Sequence, residues 1–375
     1  MDTVGILLRA GAEGTEVGSF ADEFDRVEVP AAMAYALGLD PDQDTVGQTA
    51  ALPDGRLVVL AGPGVVATRS IDGLRAFATA ANVPVANTWG AKGVLQWDSP
   101  HHMGTCGLQA RDFELLDFAS YDAIVATGTD LAESPEDRFG LAPIIEIPPT
   151  SLGSLADRVT PASEPMPPNE LYTRLSAVAQ PGYADDRVPL HPARAVADLR
   201  AAFPAGGVIV ADPGVAGLWM ARTFPTTEPG TIVVPAIAAP GIAAALGVVA
   251  ALRGLPAVAV TTEPLDPTTL GMLELATELG AALAVDVWGS GGPVQRAEDH
   301  LEQLRAALRE PGVTIVDVPV DFSLTRKLVD AAGPVVAWGG LPASEEPPPG
   351  EQPPEELPQP GRADASMPSR SDNAE

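Results

Sequence analysis

Carboxylates that could grip a hard cation stand close together where Thr261-Thr-Glu-Pro-Leu-Asp266 follows the apolar run Pro256 to Val260. A magnesium ion takes oxygen ligands in near-octahedral geometry, usually one or two carboxylates with phosphate and water oxygens. Glu263 and Asp266 are the weak candidates for that role. The next apolar run, Leu283 to Val287, opens into Trp288-Gly-Ser-Gly-Gly292, where Trp288 cannot ligate a metal and Gly289 offers only backbone. Pro264 lacks an N–H and fixes φ in a tight turn. Asp212 and Gly214 close an earlier run in Val210-Ala-Asp-Pro-Gly214; Asp212 lines a pocket there or caps the helix through Trp219. Glu274 lies on the helix between the two later turns, by default as a surface carboxylate.

Three further groups carry weaker chemistry. Gly62-Pro-Gly64 before a helix could seat a phosphate on helix N–H groups. It lacks the full G-x-G-x-x-G pattern, so a tight turn between strand and helix explains it more simply. Asn87, Trp89 and Lys92 form a polar loop after a strand, suited to a ligand, a nucleotide or an interface; a structural loop is the plain alternative. His101, His102 and Cys106 fall within six positions, but no further Cys/His pair completes a zinc site, and nothing orients a base toward the thiol.

Strands and helices alternate around these turns. Leu57 to Ala61, Val83 to Ala86, Ala123 to Thr127 and Pro143 to Ile147 read as strands, with a helix whose Leu74, Phe77 and Ala81 share a face and another helix over Phe113 to Phe118. After a Pro-rich stretch a second series begins: a helix over Ala193 to Phe203, the strand Val208 to Ala211, a helix through Trp219, the Ala-rich Ile232 to Ala251, the central strands, a helix over Glu298 to Arg309 and the strand Val313 to Val318. That alternation predicts an α/β protein with two doubly wound, mostly parallel-sheet domains in tandem. The expected divisions are an extension over 1–50, a middle domain over 51–160, a linker over 161–190 with a short helical patch around Leu171 to Val178, a C-terminal domain over 191–338 and a disordered acidic, Pro-rich tail over 339–375. Within the extension, Val4 to Leu8 is expected as a strand, Pro30 to Leu37 as a short helix and Asp40 to Thr49 as linker.

The 375 residues carry a formal charge of −28, which disfavours nucleic acid and anionic membranes as partners. Lys92 and Lys327 are the only lysines. A single cysteine and the lack of a basic-then-apolar start fit a cytoplasmic protein. The apolar stretch Ile232 to Leu252 is broken by Pro235, Pro240 and glycines, so a core helix is expected there in place of a membrane span.

Residues 55 to 330 resemble the middle and C-terminal domains of thiamine-diphosphate-dependent enzymes of the acetolactate synthase and benzoylformate decarboxylase kind. The resemblance rests on Leu60-Ala-Gly-Pro-Gly64, Trp89-Gly-Ala-Lys-Gly93, His101-His-Met-Gly-Thr-Cys-Gly107, Ala126-Thr-Gly-Thr129, Val210-Ala-Asp-Pro-Gly214, Ala239-Pro-Gly-Ile-Ala-Ala-Ala-Leu-Gly247, Glu274-Leu-Ala-Thr277 and Thr314-Ile-Val-Asp-Val-Pro-Val-Asp321. It implies thiamine diphosphate and Mg²⁺ as cofactors, 2-oxo acids as substrates, and dimers or tetramers. In that family Gly-Asp-Gly and a later Asn pair hold the metal. Here Thr261 to Asp266 and Val287 to Ser290 stand in their places, so Asp212, Gly214, Glu263, Asp266, Glu274 and Gly289 mark a degenerate diphosphate site. The family's pyrimidine-binding domain, on the order of 150 residues, does not fit within the first 50. The expectation is a pseudoenzyme that has lost magnesium binding and acts as a ligand- or partner-binding scaffold. Two alternatives stand beside it: a decarboxylase or carboligase subunit completed by a pyrimidine-domain partner chain, and a nucleotide- or flavin-binding protein using Gly62, Gly64, Asn87 and Lys92.

Overall fold

The computed structural model describes residues 29–40, 52–53, 55–161, 169–289 and 291–341. The strand expected at Val4 to Leu8, the linker at 41–49 and the tail from 342 onward lie outside them. A short helix, α1 (Ala31–Ala36), forms where Pro30 precedes it, and buries Ala32 and Met33.

The first sheet has five parallel strands in the order β3-β2-β1-β4-β5: β1 (Leu57–Ala61), β2 (Val85–Thr88), β3 (His102–Cys106), β4 (Ala123–Thr127) and β5 (Ile144–Glu146). β1 and β4 are apolar on both faces, as strands covered on both sides must be. Helix α2 (Ile71–Ala81) buries Ile71, Leu74, Phe77, Ala78 and Ala81 along one stripe and ends at Asn82 with φ 51°. β2 starts two residues later than the pattern predicts, after Pro84, which has no N–H for a ladder. β3 lies where no strand was expected. As an edge strand with a register shift opposite Val85 and Ala86, it carries polar residues and Gly104, which hide the alternation. The helix expected over Phe113 to Phe118 is a single turn at Asp112–Leu115 followed by a 3₁₀ turn at Phe118–Ser120.

Residues 161–190, expected as a linker with a short helical patch around Leu171 to Val178, contain the longer helix α3 (Glu170–Tyr183). The Asn169 side chain accepts from the Tyr172 N–H at 2.9 Å and starts it. The second domain follows: α4 (Pro192–Ala202), β6 (Val208–Ala211), α5 (Val215–Thr223), β7 (Ile232–Val233), α6 (Ile242–Leu252), β8 (Ala257–Thr262), α7 (Pro267–Glu278), β9 (Leu283–Gly289), α8 (Ala297–Ala307), β10 (Val313–Pro319) and α9 (Thr325–Ala332), the last not expected. Its parallel sheet runs β10-β9-β8-β6-β7.

Both orders are doubly wound, and in such sheets ligands bind beyond the strand ends where the winding reverses. The reversal lies between β1 and β4 in the first sheet and between β6 and β8 in the second. At the first, Gly62 and Gly64 pack directly on Gly128; a Cβ at either would collide with Gly128 backbone. Their N–H groups donate to Thr127 O (2.9 Å) and Gly128 O (2.8 Å).

A polar seam joins the two sheets. Arg222 of α5 donates to Asp112 Oδ1 (2.6 Å), Thr105 O (2.7 Å) and Gln109 Oε1 (3.1 Å), and the Arg222 and Asp112 side chains are fully buried. Gln109 in turn donates to Leu328 O (2.8 Å) and Gly333 O (2.7 Å). The segment after α9 then returns to the first domain: Val336 N donates to Leu108 O (2.9 Å), and the Trp338 ring lies 5.6 Å from that of Trp89. Removing one partner of a buried ion pair leaves an uncompensated charge, costing about 3–5 kcal/mol, whereas replacing both with apolar residues is far milder. Arg222→Met is therefore expected to lower the urea midpoint sharply, and Arg222→Met with Asp112→Leu to restore much of it; equal midpoints for wild type and Arg222→Met would contradict this.

Candidate functional site

The residues marked as a degenerate diphosphate site gather at the strand-end edge of the second sheet, except Glu274, which sits on the exposed face of α7. A helix start exposes N–H groups and a positive dipole end, and so attracts an anion. Here the chain's own carboxylates occupy two of these starts. Asp212 Oδ1 accepts the Ala243 N–H of α6 at 2.9 Å, while its carbonyl accepts the Gly217 N–H of α5 at 3.0 Å. The Asp212 backbone thus serves the start of the helix through Trp219, while its side chain reaches the start of the neighbouring helix. Gly214 provides the φ of 135° that starts α5.

Asp266 caps α7. Its Oδ1 accepts from Thr268 N (2.8 Å) and Thr269 N (3.0 Å), and its Oδ2 from the Thr269 hydroxyl (2.5 Å). Burial pushes this carboxyl up, but the Thr269 and Thr268 donors outweigh burial and hold it below the usual range. Glu263, in a cis linkage to Pro264, is exposed and lies over Gly289, where a Cβ would strike its carboxylate. Beside them a cavity of about 460 Å³ is lined by Glu263, Pro264, Leu265, Val287 and Asp317. Its charged lining groups are two carboxylates, which repel a diphosphate.

Trp288 turns away from this edge. Its indole is buried and donates to Asp286 Oδ2 at 2.8 Å. Asp286 begins a buried chain: its Oδ1 is 3.2 Å from His300 Nε2, His300 Nδ1 is 3.1 Å from Asp198 Oδ2, and Arg194 Nε donates to Asp198 Oδ1 at 2.9 Å. Burial opposes charge on His300, but the Asp286 and Asp198 carboxylates outweigh it and push its pKa up to about 9. The sequence held one sign of this network, an aspartate inside the apolar strand Leu283 to Val287; the partners on α4 and α8 had none.

The donor set does not fit a magnesium diphosphate. Asp266 and Asp212 are engaged by backbone N–H groups, Trp288 fills the core, and the charged groups lining the cavity are the carboxylates Glu263 and Asp317. Among the described residues no group of three His, Cys, Asp or Glu side chains could hold a metal.

A second polar cluster lies between the sheets. Asn87, Lys92, His102 and Thr105 come together at the ends of β2 and β3, facing Arg222. His102 Nε2 is 3.0 Å from Asn87 Oδ1, and Asn87 Nδ2 donates to the Thr105 hydroxyl at 3.4 Å. Cys106 is buried and donates to Asn87 O at 3.5 Å; burial, then the Asp112 carboxylate, push its thiol well above its ordinary value. Glu133, pushed up to about 7 by burial, accepts the Gly90 N–H at 3.0 Å. Gly62 and Gly64 stand apart from this cluster, their N–H groups engaged as described.

Residues 54–155 match a family model described as thiamine pyrophosphate enzyme, central domain. No curated protein matches the chain. Among solved structures the chain is similar to the "X-ray structure of a putative thiamin diphosphate-dependent enzyme isolated from Mycobacterium smegmatis", with TM-score 0.57 and 17% identity over 71% of this chain and 62% of that one. At that identity the likeness shows the fold, and the chain spans less than two thirds of the neighbour's length. The two parallel five-stranded sheets agree with it. No described helix is long and apolar enough to cross a membrane.

The His300 chain makes stability depend on pH. A histidine pKa raised from 6.5 to about 9 contributes fully below pH 6.5 and loses that contribution as pH rises through about 9. At ~1.4 kcal/mol per pH unit the span corresponds to roughly 3 kcal/mol. His300→Gln should therefore be much less stable than wild type at pH 6.5, with the gap narrowing by pH 10 in urea titrations; a gap constant across that range would argue against a protonated His300.

Proposed function

We propose that this chain, whose residues 54–155 match the central-domain model of thiamine pyrophosphate enzymes, is a non-catalytic relative of that superfamily acting as a ligand- or partner-binding scaffold. The observation that carries this reading is the capping of α6 and α7 by Asp212 and Asp266. An incoming diphosphate would have to displace internal carboxylates already hydrogen-bonded in place, beside the further negative charge of Glu263 and Asp317. The partner is a second copy of the chain or a separate pyrimidine-type chain, since superfamily sites form between such domains.

Calorimetric titration with thiamine diphosphate in Mg²⁺ is expected to give no saturable heat. Saturable, Mg²⁺-dependent binding would falsify the reading. The same capping geometry has a stability signature. Asp266→Ala removes the cap of α7 and should cost about 1 kcal/mol, while Asp266→Asn, which still accepts through its carbonyl, should cost less. Equal midpoints for Asp266→Ala and wild type would show that the cap is idle.

A further inference from the structure

Burying a charge is costly unless a partner neutralises it. Lys92 retains only 7% of its exposure, and among the described residues no hydrogen bond or ion pair meets its ammonium, which is not among the fully enclosed side-chain atoms. The charge nearest in effect is also positive. Burial, then the Arg222 guanidinium, bring its pKa down to about 7. The Asp112 carboxylate cannot serve both cations, since it is bound to Arg222 at 2.6 Å. His102 is no help: burial and Lys92 hold its pKa down to about 4, so the ring is neutral, with Nε2 3.0 Å from Asn87 Oδ1.

The lysine is nevertheless held firmly. It leaves a 3₁₀ turn at Trp89–Ala91, and the next residue, Gly93 (φ 94°), lies so close to the Glu228 backbone of the second domain that a Cβ would collide with it. Arg75 donates to Val94 O (2.7 Å) and Gly93 O (3.3 Å) from the other side. Two domains and a guanidinium thus fix the backbone beside an amine that no described residue pairs. Half-buried His102 places the cluster near solvent. The residue type adds to this. The chain has 22 lysines and arginines, and only Lys92 and Lys327 are lysines. A guanidinium keeps its charge in any setting, whereas a buried amine can release its proton while the site is empty.

We propose that the seam between the sheets binds one small oxyanion, a carboxylate or a phosphate group, on the Lys92 ammonium within the positive field of Arg222. The site is separate from the strand-end edge of the second sheet, so its failure would leave the scaffold reading as it stands.

Thermal unfolding of the full chain tests it, using wild type, Lys92→Met and Lys327→Met with rising inorganic phosphate or acetate, ionic strength being held constant with sodium chloride. Wild type and Lys327→Met should show a saturable rise in Tm of about 3 °C. Lys92→Met should show no rise, and its anion-free Tm should equal or exceed that of wild type. A response to phosphate alone assigns a phosphate group, and to acetate alone a carboxylate. A flat wild type, or a response retained in Lys92→Met, overturns the site. Should Lys92→Met fail to fold, trinitrobenzenesulfonate labelling of wild type, read by mass spectrometry, decides. Anion should slow labelling at Lys92 several-fold and leave Lys327 unchanged; equal rates with and without anion overturn the proposal.

Discussion

Every helix begins with N–H groups that need acceptors, and at the strand-end edge of the second sheet two helices take theirs from the chain's own aspartates. This constraint shapes that whole edge. Asp212 must stand at the end of β6 to reach Ala243, and Asp266 must precede Pro267 to reach Thr268 and Thr269. Pro267 suits this arrangement because the first helical residue needs no donor. Between the two caps, Trp288 packs into the core and leaves a cavity walled partly by carboxylates. A doubly wound sheet offers an anion site where its strand order reverses; here that place is filled from within. The first sheet reaches the same result by other means, since glycine backbone packed on glycine backbone closes its reversal point.

The seam has the opposite character. Between the sheets the polar groups are buried deeply, and Arg222 binds Asp112, Thr105 and Gln109 together. Gln109 extends the chain of contacts to Leu328 within α9 and Gly333 just after it, and Trp89 and Trp338 close the apolar side. The positions of Asn87, Lys92 and His102 are therefore set by both domains. A displacement of one sheet against the other would strain the Arg222 hydrogen bonds, whose guanidinium and carboxylate are fully buried.

Much of the fold was legible because its strands are continuous apolar runs: Leu57–Ala61, Ala123–Thr127 and Val208–Ala211 follow the pattern residue for residue. What escaped notice lacked such a pattern. β3 is an edge strand of mixed polarity, and α3 was legible only as a short helical patch over Leu171 to Val178, since the prolines and acids around it read as linker, although Asn169 caps a helix of fourteen residues. The helix α9 presents its apolar face only at Leu328 and Ala332, too sparse a stripe to recognise. At the candidate site, the residues that gather were largely legible, since Asp212, Glu263, Asp266 and Gly289 all follow strands. Their roles were not. Whether a carboxylate faces a ligand or a helix start depends on a side-chain direction that strand periodicity does not encode. Asp112 and Arg222, more than a hundred positions apart, gave no sign of meeting.

The two edges can be compared by how each handles charge. At the second sheet's strand ends Asp212 and Asp266 have donors, so they are stable as they stand and have little to gain from a ligand. At the seam the reverse holds. Asp112 is matched to Arg222, and Lys92 is left over, buried, with a neutral imidazole beside it. A protein with a formal charge of −28 has many carboxylates with which it could pair this lysine. None of the described carboxylates forms an ion pair with it, although Arg222 in the same seam has Asp112. The imbalance therefore follows from local placement and not from a shortage of acids. Chemistry that depends on attracting an anion belongs, on these grounds, between the domains and not at the place where the sheet topology would put it.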